Sequence, residues 1–131
     1  MVMRRTPADR RQAERAGRVA ELAAIGWLFC TGHRFLARRN RAAGGEIDLV
    51  MRRGRVTIFC EVKYRHPAGH DGMPSPAQQR RICNAAREFL ARHRISPDLE
   101  CRFDLVRISP FSWRGRPPIR HIRDAWWCDP V

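Results

Sequence analysis

Lysine is almost missing from this chain: of its 26 basic side chains, Lys63 alone is not an arginine. Lysine is therefore excluded as a general solubilising charge, and the one position that keeps it calls for a reason. Arginine stays protonated and forks better onto phosphate, whereas lysine is a compact charge on a flexible stem whose pKa responds to its surroundings. Lys63 stands two residues from Glu61 in the strand-like run Val56-Thr57-Ile58-Phe59-Cys60-Glu61-Val62-Lys63, and is the first candidate for an active-site residue. Long apolar runs are missing too. No stretch approaches the ~20 apolar residues of a membrane span, and the basic start, Met1 to Arg18, lacks the apolar run of a secretory signal. A soluble cytoplasmic protein with no membrane partner is the expectation. Paired cysteine spacing is absent: Cys30, Cys60, Cys83, Cys101 and Cys128 are odd in number and well separated, which predicts reduced, mostly buried thiols. Acidic residues are scarce, 13 against 26 basic, for a formal charge of +13 spread from Arg4 to Arg123. A broad positive surface of this kind faces a polyanion. Nucleic acid leads, an anionic membrane surface comes second, and a GC-rich genome would account for part of the arginine bias.

What is present fits one domain over residues 1–131, with ends expected to fray at about 1–9 and 128–131. The length is enough to bury roughly two-thirds of the unfolded surface in one core. Helical spacing of Ala16, Val19, Ala20, Ala23, Trp27 and Cys30 predicts a first helix from about Ala8 to Thr31, closed by Gly32. A short strand at Arg34 to Arg38 and a polar loop from Arg39 to Gly45 follow. Then come two strands, Glu46 to Arg52 and Val56 to Lys63, around a turn near Arg53-Gly54. Arg65 to Pro74, with two prolines and two glycines, reads as a mobile functional loop. Ser75-Pro76-Ala77-Gln78 announces a second helix whose core face is Ile82, Ala85, Ala86, Phe89 and Leu90. Strands at Cys101 to Ile108 and Ile119 to Ile122 complete an α/β fold, a mixed sheet covered by helices.

Strand alternation places Glu61 and Lys63 on one face with Phe59 and Thr57, and Val56, Ile58, Cys60 and Val62 on the other. An even hairpin loop centred on Arg53-Gly54 sets position 48 opposite position 59. Asp48 then lies diagonal to Glu61 on the same face, at roughly 7–8 Å between backbones. An odd loop turns Asp48 away. Two converging, largely buried carboxylates need a counter-charge, and Mg²⁺ suits them, being held by one or two carboxylates with waters and substrate phosphate. With an adjacent ammonium, such a set suffices for phosphodiester hydrolysis. The plainer reading is a Glu61–Lys63 salt bridge with Asp48 capping a turn.

Gly45-Glu46-Ile47-Asp48-Leu49-Val50 followed by Phe59-Cys60-Glu61-Val62-Lys63-Tyr64-Arg65 resembles the YraN-like family of small bacterial proteins. That family belongs to the PD-(D/E)XK nuclease superfamily and is similar to archaeal Holliday junction resolvases. Glu21, Ala24, Leu28 and Gly32 match its first helix, and Arg102-Phe103-Asp104-Leu105-Val106 its later strand. The resemblance implies a restriction-endonuclease-like fold in α-β-β-β-α-β order, Asp48 and Glu61 as ligands of Mg²⁺ or Mn²⁺, Lys63 as the catalytic lysine and Glu21 as a fourth member of the site. Where the family usually has a lysine near the start of the second helix, this chain has Gln78, so substrate affinity there would fall to Gln78, Gln79 or nearby arginines.

Arg38, Arg39, Arg41, Arg65 and Arg80 are the candidate phosphate contacts beside Gln78 and Gln79, with Arg52, Arg53 and Arg55 around the turn. Taken singly, each reads more readily as an ordinary solvated arginine. Asp104 is either a supporting partner behind the metal ligands or a structural hydrogen-bonding group, and Glu46 either shares the Asp48 face or ends a strand. His66 and His70 have a chelating spacing without cysteine partners, which argues against zinc. Trp113, Trp126 and Trp127 fit packing better than base stacking. The expectation is a metal-dependent, structure-selective nuclease acting on nucleic acid, DNA favoured over RNA without the sequence deciding between them. An inactive nucleic-acid-binding protein of the same fold and a scaffold domain are the alternatives. The resolvase analogy suggests a homodimer.

Overall fold

The computed structural model describes residues 6–42, 44–64, 73–96, 99–108 and 119–128. Arg65, His66, His70 and Trp113 lie outside them. Helix α1 runs Pro7–Cys30, strands β1 Arg34–Ala42, β2 Gly45–Arg53 and β3 Val56–Tyr64, helix α2 Pro76–Arg92, and strands β4 Glu100–Ile108 and β5 Ile119–Trp126. The sheet order is β1-β2-β3-β4-β5, antiparallel except for the β3–β4 pair. A parallel neighbour requires a crossover, and α2 supplies it. This is the α/β, restriction-endonuclease-like class expected, with a fifth strand at the edge.

Each helix starts where its cap dictates. The Thr6 hydroxyl accepts from the Asp9 N–H at 3.1 Å while the Asp9 carboxylate accepts from the Thr6 N–H at 2.9 Å, so α1 reaches back into the stretch expected to fray. Gly32, at φ +89, ends it. In α2, Ser75 accepts from the Gln78 N–H at 3.1 Å and Pro76 occupies the first helical position.

Both faces of the sheet are covered. Ala24 and Leu28 of α1 pack with Leu49, Met51, Ile58, Cys60, Val106 and Ile108. Against the other face, Ile82, Ala85, Ala86 and Phe89 of α2 pack with Val50, Phe59, Phe103 and Trp126. The expected inner face of α1 is corrected here: Val19 is 64% exposed and Trp27 43%, Cys30 is exposed as well, and the buried stripe is the one carrying Ala24 and Leu28. Two apolar stripes compete on this helix, and the sheet takes the one that also brings Glu21 inward.

Three further expectations change. The segment Arg39–Ala42 continues β1 instead of forming a loop, because Asn40, Arg41 and Ala42 pair with Ile47, Glu46 and Gly45. Strand β5 extends to Trp126, since Asp124, at φ +54, absorbs an irregularity before Trp126 pairs with Phe103. The cysteines are not all reduced: Cys83 of α2 is bonded to Cys128 beyond β5, at a Cα–Cα distance of 5.8 Å, within reach for a disulfide. Residues 45 apart in sequence meet because Trp126 packs into the α2 cluster. Of the free thiols Cys60 is buried, whereas Cys30 and Cys101 are exposed. No helix among the described residues is long and apolar enough to cross a membrane.

Candidate active site

The β2–β3 hairpin decides where the carboxylates point. Arg53 pairs with Val56, leaving Gly54-Arg55 as a two-residue loop with Gly54 at φ +59, as primed hairpin turns require. The loop is even, as the sequence argument needed, but is centred one residue later than expected. Pairing runs down to Leu49 opposite Cys60, so the next step sets Asp48 directly across from Glu61, where a diagonal was expected. Directly opposed residues on one face come closest, and the two side chains are hydrogen-bonded to each other.

Glu61 is buried. Its Oε1 sits 3.2 Å from Lys63 Nζ and accepts from Gln78 Nε2 at 3.2 Å. Asp48 Oδ2 accepts from the Val62 N–H at 2.8 Å. Burial first, and the Glu61 charge second, push Asp48 up to about 8. Glu61 is raised as well, chiefly by burial, while the Lys63 ammonium pulls it back. Burial and the neighbouring charge thus act on the two carboxyls as a unit and disfavour ionising both at once.

Glu21 reaches this neighbourhood from α1 without joining the pair. Its carboxylate is 3.0 Å from Arg39 Nε and its side chain is 13% exposed, and its charge contributes to raising Asp48. Arg39 stands at φ +50, an uncommon conformation for a side-chain-bearing residue.

A cavity of about 630 Å³ opens beside the carboxylates, walled by Arg41, Gly45, Glu46, Asp48, Glu61, Gln78 and Arg81 among others. Arg41 and Gln78 thus face the place expected of them. Gln79 instead donates to the Pro74 carbonyl at 2.9 Å, and Arg38 and Arg80 are exposed. Glu46 shares the Asp48 face, as one of its two readings held, and lies 3.7 Å from Arg41. Sequence reasoning missed Arg81 and Gly45. A Cβ on Gly45 would meet the Arg81 carbonyl oxygen at 2.5 Å, so the start of β2 touches the α2 backbone itself. The signal was available in Gly44-Gly45 next to the Asp48 strand.

Asp104 belongs elsewhere. It is in register with Cys60, which packs on the α1 face, so it faces away from Asp48 and Glu61 and takes the structural of its two readings. Fully buried, it accepts from Arg102 Nε and Nη2 at 2.8 and 2.9 Å, from His121 Nε2 at 2.6 Å and from the Asp124 N–H at 3.0 Å. Burial alone would raise its pKa, but these donors hold it down at about 2. Trp126 is buried and Trp127 is 80% exposed.

Paired oxygen donors whose burial and mutual charge disfavour ionising both are the set a hard divalent cation relieves. Among the described residues no group of three or more acidic, histidine or cysteine side chains is placed to hold a metal alone, so waters and substrate oxygens would complete the coordination of an ion held by Asp48 and Glu61.

Residues 20–108 match the model of the family described as "Uncharacterised protein family UPF0102". A UPF0102 protein of Maricaulis maris is 43% identical over 119 residues, covering 89% of each chain. One of Rhizobium etli is 43% identical over 119 residues, 89% of this chain and 93% of its own. Another, of Shewanella amazonensis, reaches 49% over 96 residues, 71% of this chain and 87% of its own. The matched span contains the paired carboxylates, the lysine, Gln78 and Arg81, and on that coverage the chain belongs to the UPF0102, or YraN-like, family.

Proposed function

We propose that this protein is a metal-dependent nuclease hydrolysing phosphodiester bonds in nucleic acid, DNA rather than RNA. One geometric observation carries the reading: Asp48 and Glu61 stand directly opposed where both line one cavity, with Lys63 Nζ 3.2 Å from Glu61. A purely structural ion pair needs one carboxylate per cation. Here a second, half-buried carboxylate stands directly across from the first, which disfavours its ionisation.

Mg²⁺ or Mn²⁺ held by Asp48 and Glu61 would polarise the scissile phosphate and activate water. Glu61 is fixed by Lys63 and Gln78, so its carboxylate points into the cavity without rearranging. Asp48 is anchored by the Val62 N–H, and an ion held there would favour its carboxylate form. The Lys63 ammonium donates to the attacking water or to negative charge developing on phosphorus-bound oxygen. Arg41 and Arg81, on opposite walls, take neighbouring phosphates and set the strand's position without reading its sequence.

Purified protein incubated with duplex, branched and single-stranded DNA should cleave at least one in Mg²⁺ or Mn²⁺. Glu61→Ala and Lys63→Met should each lower the rate by about 10²-fold or more. Absence of cleavage across all substrates with both metals, alongside retained salt-dependent binding, would leave a nucleic-acid-binding protein that keeps the fold without the chemistry.

A further inference from the structure

The outward side of α1 is uncharged from Val19 to Cys30. Val19, Leu22, Gly26, Phe29 and Cys30 recur at intervals of three and four, which aligns them on one stripe, away from the buried Ala24 and Leu28. Val19 is 64%, Leu22 56% and Phe29 72% exposed, and nothing lies within 4 Å of where a side chain on Gly26 would project. The one charged residue of the stretch, Glu21, turns inward to Arg39. A helix apolar on every side is normally covered on every side, and contiguous exposed apolar surface marks an interaction site.

We propose that a second copy of this chain covers this stripe, its α1 crossing antiparallel about a two-fold axis at the Ala24–Ile25 step. Charge decides the occupant and the direction. Arg11, Arg15 and Arg18 are exposed in the first half of α1, whereas the last turn carries no basic residue to meet the negative end of the helix dipole. In an antiparallel pair centred there, residue numbers facing each other sum to 49. Val19 then meets Cys30, Leu22 stands level with Trp27, and Arg18 with Thr31 at the carboxyl end of the other helix. A parallel pair would set arginine against arginine. A lipid surface fits less well, because arginines and apolar residues occupy different lengths of the helix, whereas an interfacial helix divides them between its sides. The open space at Gly26 lets the two backbones approach closely, and a two-fold contact of this kind is closed and self-complementary. The stripe lies on the sheet face opposite the cavity, so the inference stands whatever the cavity does.

Sedimentation velocity of the full chain should show a dimer at micromolar concentration. Leu22→Glu and Phe29→Glu, at positions too exposed to threaten folding, should weaken association at least about a hundredfold with unchanged circular dichroism. In a Cys101→Ser background, Val19→Cys should give a covalent dimer through Cys30 under copper–phenanthroline, and the parent should not. A monomeric parent, a dimer indifferent to both glutamates, a Cys30–Cys30 crosslink in the parent, or capture by phosphatidylglycerol vesicles abolished by Leu22→Glu would each overturn the proposal.

Discussion

Two aspartates on opposite faces of one sheet, Asp48 half-buried and Asp104 fully buried, carry opposite perturbations. Asp48 is pushed up to about 8, by burial and then by Glu61, whereas Asp104 is held at about 2 although burial alone would raise it. The difference lies in the number of donors. Asp104 collects two hydrogen bonds from Arg102, one from His121 and one from a backbone N–H. Asp48 has one backbone N–H and a carboxylate neighbour. Satisfied charge holds the β4–β5 edge together; under the proposed function, the less satisfied pair is the one a cation or substrate would complete. Perturbation alone therefore does not single out a functional site, since the strongly perturbed Asp104 is fully accounted for by its own donors.

The comparison would break most visibly at Asp104. Replacing it with alanine leaves Arg102 and His121 facing each other without their anion, and should lower stability by about 3–5 kcal/mol in urea unfolding. Asp48→Asn should instead raise stability, by about 0.5–2 kcal/mol near neutral pH, because an amide keeps the acceptor for Val62 and donates to Glu61 without repulsion. A destabilised Asp48→Asn protein would remove the distinction between the two sites.

The pH dependence sharpens the same contrast. The folded value of Asp104 is depressed, so its contribution is present above the ordinary value of 3.8 and is lost as pH falls toward about 2. That of Asp48 is raised, so its contribution is present below 3.8 and is lost as pH climbs toward about 8. Thermal melts of the parent and Asp48→Asn should diverge progressively across that upper window and converge below it. Smaller still is the Gln78 effect: alanine there should cost about 1 kcal/mol and about tenfold in cleavage rate, and Gln78→Lys, which restores a donor to Glu61, should recover most of the rate.

Much of this was legible in the sequence where a rule of parity applies. Alternation put Glu61 and Lys63 on one face, and an even hairpin loop put Asp48 there too, even though the turn was placed one residue early. Parity survives such an error; register does not, so the pair came out directly opposed. The helix caps at Ser75 and Gly32 were legible because they depend on local groups. Packing choices were not: α1 offers two apolar stripes, and nothing within the helix says which one the sheet will cover. Cys83 and Cys128 could not be paired from spacing, since their meeting depends on how β5 docks beneath α2. Asp104 kept two readings until the register with Cys60 fixed its face.

The contact between Gly45 and the Arg81 carbonyl separates two things that evolution can then treat independently. Because main chain abuts main chain there, the gap between β2 and α2 is set without reference to the side chains lining it. Side chains around the cavity can be exchanged while its frame stays the same size. Gly45 is where that freedom ends: a single methyl group there must move the helix, and with it the glutamine that holds Glu61.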